Sequence, residues 1–468
     1  MRLLVLLLFS LFCLPPLANA QKPRTDETGM YMVSFKNKKG TAYSVDRPGE
    51  FLSDRALLRR AAHGAPITED DLPLSADHLE KVAETGAKLW LKSKWLNGVV
   101  VAAAGPQVTA LRDLRFVDDV ELVAPVQYDR ASLLPVIPNL DRPAPVIDPV
   151  PVGRKFYGYG WDNLTGMKGD SLHAWGFRGK GVLVAVFDGG FPNVNYKDYL
   201  GYADAAAIPA GYDVVEQDST VLDGSTHGAT VLSTMAAYHP FFFIGTAPEA
   251  RYVLFKTENG SGEHRLEEIN YAVALELADS IGVDVVNSSL GYTTFSFKEM
   301  NYTYKDLDGK TSPASRSITK AFNRGMIIVS SAGNSGSDEW KYVGAPADSP
   351  EAFAIGALNK DGSRAYFSSY GPTADGRTKP DVSALGVDVA AVSANGRGLS
   401  KVNGTSLASP LVAGLITCLK QAVPDATNNE LLDAVRATAS QASAPDNERG
   451  WGQPDFAAAY RLLMAARK

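Results

Sequence analysis

Four polar residues stand at the ends of apolar runs, where side chains can face a cleft. Asp188 follows the run Val182–Phe187 and precedes Gly189-Gly190. A carboxylate there lies at the rim of a sheet, and the glycines let the chain turn away. A turn or cap aspartate is the plain alternative. His227 lies in Ser225-Thr226-His227-Gly228-Ala229-Thr230, ahead of a helical stretch to Tyr238. Its small neighbours allow close approach to the ring, although a lone histidine is more often structural. Ser406 lies in Asn403-Gly404-Thr405-Ser406-Leu407-Ala408-Ser409-Pro410, which opens an apolar helix through Leu411, Leu415, Ile416 and Leu419. Its hydroxyl is either an N-cap or a nucleophile at the positive end of a helix, among free N–H groups. Asn334, in Ser330-Ser331-Ala332-Gly333-Asn334-Ser335-Gly336, follows the run Met326–Val329. It is a turn residue or a donor to a developing oxyanion. Taken together, acid, imidazole, amide and alcohol are the parts of nucleophilic acyl transfer.

Residues so far apart in the chain need a large scaffold. From about Gly153 onward, β-branched apolar runs recur: Val182–Phe187, Tyr252–Lys256, Val283–Asn287, Met326–Ser330 and Phe353–Ile355. Near-continuous apolar runs predict strands buried on both faces. Helical patterns over Glu267–Ser280, Ser317–Asn323 and Ser406–Ala422 intervene. The alternation predicts an α/β fold with a doubly wound parallel sheet, whose ligands bind beyond the carboxyl ends of the strands.

The first part of the chain reads differently. Tyr31–Phe35 alternates as a strand, Ser53 and Ser75 cap two helices that close at Gly64 and Gly86, and Leu89–Trp95 with Val99–Ala103 predicts a hairpin around Asn97-Gly98. A helix over Val108–Leu114 and a strand over Val120–Val126 complete a small sheet with helices on one face. Pro135, Pro138, Pro143, Pro145, Pro149 and Pro151 then mark an extended linker that proteases can reach. Upstream, Arg2, the apolar run Leu3–Leu14 and Ala18-Asn19-Ala20 have the layout of a cleaved signal peptide. The net charge of -6 gives no footprint for nucleic acid and no polybasic anchor, and no later run is long enough to span a membrane. Of the two cysteines, Cys13 lies in the leader and Cys418 in an apolar helical run, which predicts a buried structural thiol and no internal disulfide.

The motif Gly404-Thr405-Ser406-Leu407-Ala408-Ser409-Pro410, with Asp188, His227 and Asn334 upstream, resembles the subtilisin-like serine peptidases, the subtilase family. Gly245-Thr246-Ala247-Pro248-Glu249-Ala250, Asn287-Ser288-Ser289-Leu290-Gly291, and Phe367-Ser368-Ser369-Tyr370-Gly371-Pro372 with Lys379-Pro380-Asp381 are also similar. Two departures flank the chemical residues: Gly189 stands where the family has Ser or Thr, and Ala229 where it has Thr. An insertion from Thr293 to Pro313 is rich in Tyr, Phe, Lys and Asp, and is expected to border the cleft.

The resemblance implies a secreted serine endopeptidase made as a zymogen, with a periplasmic location as the alternative. Residues 1–20 would be the signal, 21–130 a small ferredoxin-like propeptide, 131–152 the linker and 153–468 the catalytic domain. Asp188, His227 and Ser406 would form the triad, Asn334 the oxyanion hole, and Ser288, Ser289, Leu290 and Gly291 an edge that pairs with substrate backbone. Partners would be protein or peptide substrates and the chain's own propeptide. Catalysis would need no cofactor; calcium is common in similar enzymes, but spacing alone assigns no metal ligands.

Three other readings compete. Gly169-Asp170-Ser171-Leu172 matches a short esterase motif, but such esterases need a late histidine, and the last histidine is His264. The same lack of a histidine after Ser406 removes the α/β-hydrolase order. A catalytically dead scaffold, or a peptidase that cleaves only itself, would keep the motifs and differ in assay.

Overall fold

The computed structural model describes residues 28–125, 151–195, 199–201, 208, 210–260, 262–393 and 395–467. The expected signal peptide, and the expected linker up to residue 150, lie outside the described residues.

The first unit is a four-stranded antiparallel sheet with β1 at Gly29–Phe35, β2 at Lys88–Ser93, β3 at Gly98–Ala103 and β4 at Val117–Ala124, in the order β2-β3-β1-β4. Its helices are α1 (Asp54–Ala62), α2 (Ala76–Glu84) and α3 (Gly105–Arg112). Ser53 and Ser75 cap the first two as expected, accepting from Ala56 N and His78 N. The hairpin differs from expectation. β2 stops at Ser93, and a four-residue turn replaces the tight Asn97-Gly98 connection. The cause is tertiary: the Glu276 carboxylate accepts from Ser93 Oγ, Lys94 N and Trp95 N, and so draws the turn onto the second unit.

Strand alternation gives the small sheet two apolar faces. Tyr31, Val33, Phe35, Val99 and Val101 pack with residues of α2 and α3. Met30, Met32, Val100 and Ala102 face the other way and share a core with Leu266, Ile269 and Val273. Neither face is left for water, so the small unit has half of its sheet buried by the larger one.

The second unit is built on seven parallel strands: β5 (Leu183–Asp188), β6 (Ala210–Asp213), β7 (Arg251–Lys256), β8 (Val285–Ser288), β9 (Ile327–Ser331), β10 (Ala352–Leu358) and β11 (Val382–Leu385). Their order is β11-β10-β9-β8-β5-β7-β6. Sequence reading missed β6 and β11, which are only four residues long and carry no apolar run. Val184 and Val186 enter the core beneath α4 (His227–Ala236) and α7 (Thr405–Ala422), whereas Leu183, Ala185 and Phe187 enter the core shared with α5 (Arg265–Ile281) and α6 (Pro313–Phe322). This is the expected doubly wound α/β sheet. From β5 the chain runs to the edge strand β6, returns to β7 beside β5, and then crosses to β8 on the other side of β5, so the carboxyl end of β5 is a switch point where a crevice opens.

A buried ionic cluster fastens α1 to this unit. Arg59 and Arg60 both donate to the Asp279 carboxylate. Arg60 also forks onto Asp71 at 3.0 and 2.9 Å, and Arg324 reaches Asp71 at 2.7 Å. Burial pushes the Asp71 and Asp279 carboxyls up, but the guanidinium groups outweigh it and hold both below the usual range.

Candidate active site

Asp188 ends β5 with only 1% of its surface exposed. Its Oδ1 accepts from Gly189 N at 2.8 Å, which orients the carboxylate. His227 is the first residue of α4, and its Nδ1 lies 2.8 Å from Asp188 Oδ2 and 3.0 Å from Oδ1. Gly228 explains how the helix comes so near. A Cβ there would lie 2.7 Å from Asp188 Cβ and 2.4 Å from Gly190 O, so a side chain would push the ring away. Burial disfavours the imidazolium, but the Asp188 carboxylate outweighs it, and the His227 pKa is raised.

Ser406 is the second residue of α7, 8% exposed, at the helix end that carries free N–H groups and positive charge. Its carbonyl accepts from Ser289 Oγ at 2.9 Å. Ser289 in turn accepts from Asn287 Nδ2 at 3.1 Å, and Asn287 Oδ1 accepts from Ser409 Oγ at 2.8 Å. This buried chain ties the first turn of α7 to the end of β8. In the sequence Asn287 and Ser409 stand only within longer motifs, and the one local signal of this chain is that Ser409 lies one helical turn beyond Ser406.

Asn334 follows β9. Its Oδ1 accepts from Thr405 N at 2.9 Å and Thr405 Oγ1 at 3.0 Å. That leaves Nδ2 as the free end, on the side of Gly404 and Ser406. A Cβ on Gly404 would lie 3.7 Å from Asn334 Nδ2 and 2.9 Å from Ser406 Oγ, and Gly404, at φ +150°, keeps that space open. Ser289, Leu290, Gly291, Asn334 and Ser406 line one cavity of about 170 Å³, whose far wall includes Trp340, Tyr342 and Gly344.

The structure thus pairs Asp188 with His227 and joins Ser406, Asn334 and the end of β8 around one cavity. Among the described residues no hydrogen bond links Ser406 to His227. Such contacts are often long in the absence of substrate. The expected substrate edge divides. Ser288 is wholly buried inside the sheet and does not line the cavity, whereas Ser289, whose hydroxyl is spent on the Ser406 carbonyl, lines it with Leu290 and Gly291.

The other candidates fall elsewhere. Gly169-Asp170-Ser171-Leu172 lies in the helix Gly169–Ala174, with Gly169 packed against Leu415 of α7. Cys418 is free and buried, and its thiol donates to Thr246 O at 3.2 Å. Burial pushes its pKa well up, so it is a structural thiol as expected.

Comparison with known proteins shows the family. Residues 179–452 match the model of the subtilase family, peptidase S8, and residues 30–134 match the peptidase S8 propeptide domain of Bacteroidota. M-protease of Shouchella clausii is 30% identical over 325 residues, spanning 68% of this chain and 73% of that protein. Subtilisin E of Bacillus subtilis is 31% identical over 279 residues, spanning 59% of this chain and 65% of that protein. Among solved structures, fervidolysin from Fervidobacterium pennivorans, described as a keratinolytic enzyme related to subtilisin, has a TM-score of 0.62 at 20% identity, covering 93% of this chain and 61% of that one. The chain belongs to the subtilase family of serine peptidases and carries an S8 propeptide domain. No described helix is long and apolar enough to cross a membrane.

Proposed function

We propose that this protein is a secreted serine endopeptidase, made as a zymogen, which hydrolyses peptide bonds through Asp188, His227 and Ser406. The observation that carries the reading is the Asp188–His227 pair at 2.8 Å, at the switch point of the sheet, with Ser406 on a helix N-terminus beside the free amide of Asn334. His227 takes the Ser406 proton as the hydroxyl attacks the scissile carbonyl, then returns it to the leaving amine. Asp188 holds the ring with Nδ1 protonated and stabilises the imidazolium. Asn334 Nδ2 and the Ser406 N–H donate to the oxyanion. The exposed backbone of Leu290-Gly291 adds a substrate strand.

In this reading residues 21–130 are the inhibitory propeptide, 131–152 the linker that is cut, and 153–468 the catalytic domain. The buried sheet face and ionic cluster support it, because they make the small unit a tight-fitting partner. Catalysis requires no cofactor.

Labelling by a fluorophosphonate probe tests the assignment. The probe should attach to Ser406, and His227→Ala should abolish attachment. Attachment elsewhere, or none, removes this reading in favour of a binding scaffold. Cleavage of added casein separates a general peptidase from one that cuts only itself.

Two further outcomes are expected. Asn334→Ala should lower kcat by about 10²–10³ with little change in KM, a figure carried over from a bacterial subtilisin. The enzyme should lose kcat/KM as pH falls, because only neutral His227 accepts a proton. With the pKa raised, the midpoint should lie above the ordinary histidine value of 6.5. A pH–rate profile from 5 to 9 reads it directly.

A further inference from the structure

The cavity beside Ser406 and Asn334 is walled without charge: among the described residues no Asp, Glu, Lys, Arg or His lines it. Its bulkier lining comes from Leu290, Thr293, Trp340 and Tyr342, and Thr293 is where the insertion begins. We propose that Tyr304 of the insertion is a positioning residue for substrate selection, an assignment that rests on Ser406 being the peptidase nucleophile. By bracing Tyr342, it fixes the width of the cavity and limits which uncharged side chain fits beside the scissile bond.

Tyr304 does not itself line the cavity. Its ring packs on that of Tyr342, with centroids 4.2 Å apart and planes 37° apart. Tyr370 flanks Tyr342 at 5.9 Å and 60°, and the Arg364 guanidinium lies over Tyr370 at 5.0 Å. The residue that lines the cavity thus has an aromatic neighbour in each of two other loops. The two neighbours hold it differently. Val343 N donates to Tyr370 O at 3.0 Å and Tyr370 N to Lys341 O at 3.1 Å, so backbone pairing fixes the Tyr370 side. Among the described residues no backbone hydrogen bond joins Tyr304 to Tyr342. The ring contact alone holds that side, and one side chain decides it.

Tyr304 can act as a brace because it is itself anchored. Its hydroxyl donates its one proton between Pro372 O at 2.9 Å and Thr373 O at 3.0 Å. Its backbone opens the short helical turn Tyr304–Asp306, where Thr303 N and Oγ1 both donate to Asp306 Oδ2 at 2.7 Å. The chain is pinned on either side of that turn. Tyr302 N donates to Thr293 O at 3.0 Å, Tyr302 Oη to Glu268 Oε2 at 2.7 Å, and Ala374 N to Leu307 O at 2.9 Å. A ring fixed at both its hydroxyl and its backbone has little freedom left to lose, so it resists a substrate side chain that presses on Tyr342. The insertion therefore borders the cavity through Thr293 and sets its width through Tyr304.

The test is a series of peptide anilides that differ only in the residue before the scissile bond: Ala, Leu, Phe, Trp, Lys and Glu. Active enzyme is counted by fluorophosphonate labelling, and Tm reports folding. The parent should show kcat/KM for Lys and Glu at least about tenfold below the best uncharged member, since a charge entering the cavity meets no counter-charge. Tyr304→Ala should raise the Trp-to-Ala ratio of kcat/KM at least about tenfold, because the unbraced wall yields to bulk. Tyr304→Phe, which keeps the ring and loses both carbonyl anchors, should fall between, and it carries the test if Tyr304→Ala does not fold. A purely structural role would lower every member by one common factor, and that outcome overturns the proposal. An unchanged ranking in the folded variants overturns it equally. If no anilide is cut and no label attaches, the peptidase reading falls and takes this inference with it. A series cut with the parental ranking sinks this inference alone.

Discussion

Ser406→Ala should lower kcat for peptide hydrolysis by about 10⁵–10⁶ while moving Tm by no more than about 2 °C. The magnitude is carried over from a bacterial subtilisin, in which loss of the nucleophile or base costs about 2 × 10⁶ in kcat. The small thermal effect follows from the site. Ser406 Oγ makes no hydrogen bond among the described residues, and its anchoring contact is the backbone carbonyl held by Ser289, which alanine keeps. His227→Ala should cost about as much, and the double variant little more, because the two act as one unit. Asp188→Asn should cost about 10⁴ by favouring the wrong tautomer. Removing the carboxylate also removes what raises the His227 pKa, so residual activity should reach further toward acid pH. Mass spectrometry of the purified full-length protein adds a second readout: if maturation is autocatalytic, the Ser406→Ala chain stays uncut. Retention of more than about 1% of parental kcat would point to another nucleophile and end the assignment.

The second large effect lies far from the cavity. Asp279→Ala should loosen α1 from the second unit by about 3–5 kcal/mol, because it leaves Arg59 and Arg60 buried without their shared carboxylate. In a Ser406→Ala chain, amide exchange over 54–62 should speed by about 10²–10⁴. Asp279→Asn, which keeps shape and acceptor but loses charge, should fall between. The pH dependence has a definite sign. The native carboxyls of Asp71 and Asp279 are held below their ordinary value of 3.8, so their contribution is complete above that value and is lost only as pH falls below it. Mild acid alone should therefore leave the units docked. Unchanged exchange in Asp279→Ala would mean that the apolar face, with Met30, Met32, Val100 and Ala102, carries the docking by itself.

Legibility in the sequence followed the range of the forces involved. Ser53 and Ser75 announce their helices because a cap is satisfied by N–H groups three residues away. β5, β7, β8 and β9 are legible because a strand buried on both faces carries a near-continuous apolar run. β6 and β11 are not, since short strands take their register from neighbours. The displaced hairpin turn depends on Glu276, more than 170 residues downstream, and nothing near Asn97-Gly98 encodes it.

By itself the sequence determined which groups are available for chemistry and which elements carry them. Asp188 closes an apolar strand, His227 and Ser406 open helices, and glycines flank all three, because strand burial, caps and turns are encoded by neighbours in the chain. Only the tertiary structure decided what those groups touch. Strand order sets Asp188 beside His227, packing turns the free amide of Asn334 toward Ser406, and the Ser289 hydroxyl goes to the Ser406 carbonyl rather than to the cavity. The physical reason is that contacts between remote elements are chosen by the packing of whole faces, and no local run of residues records that choice.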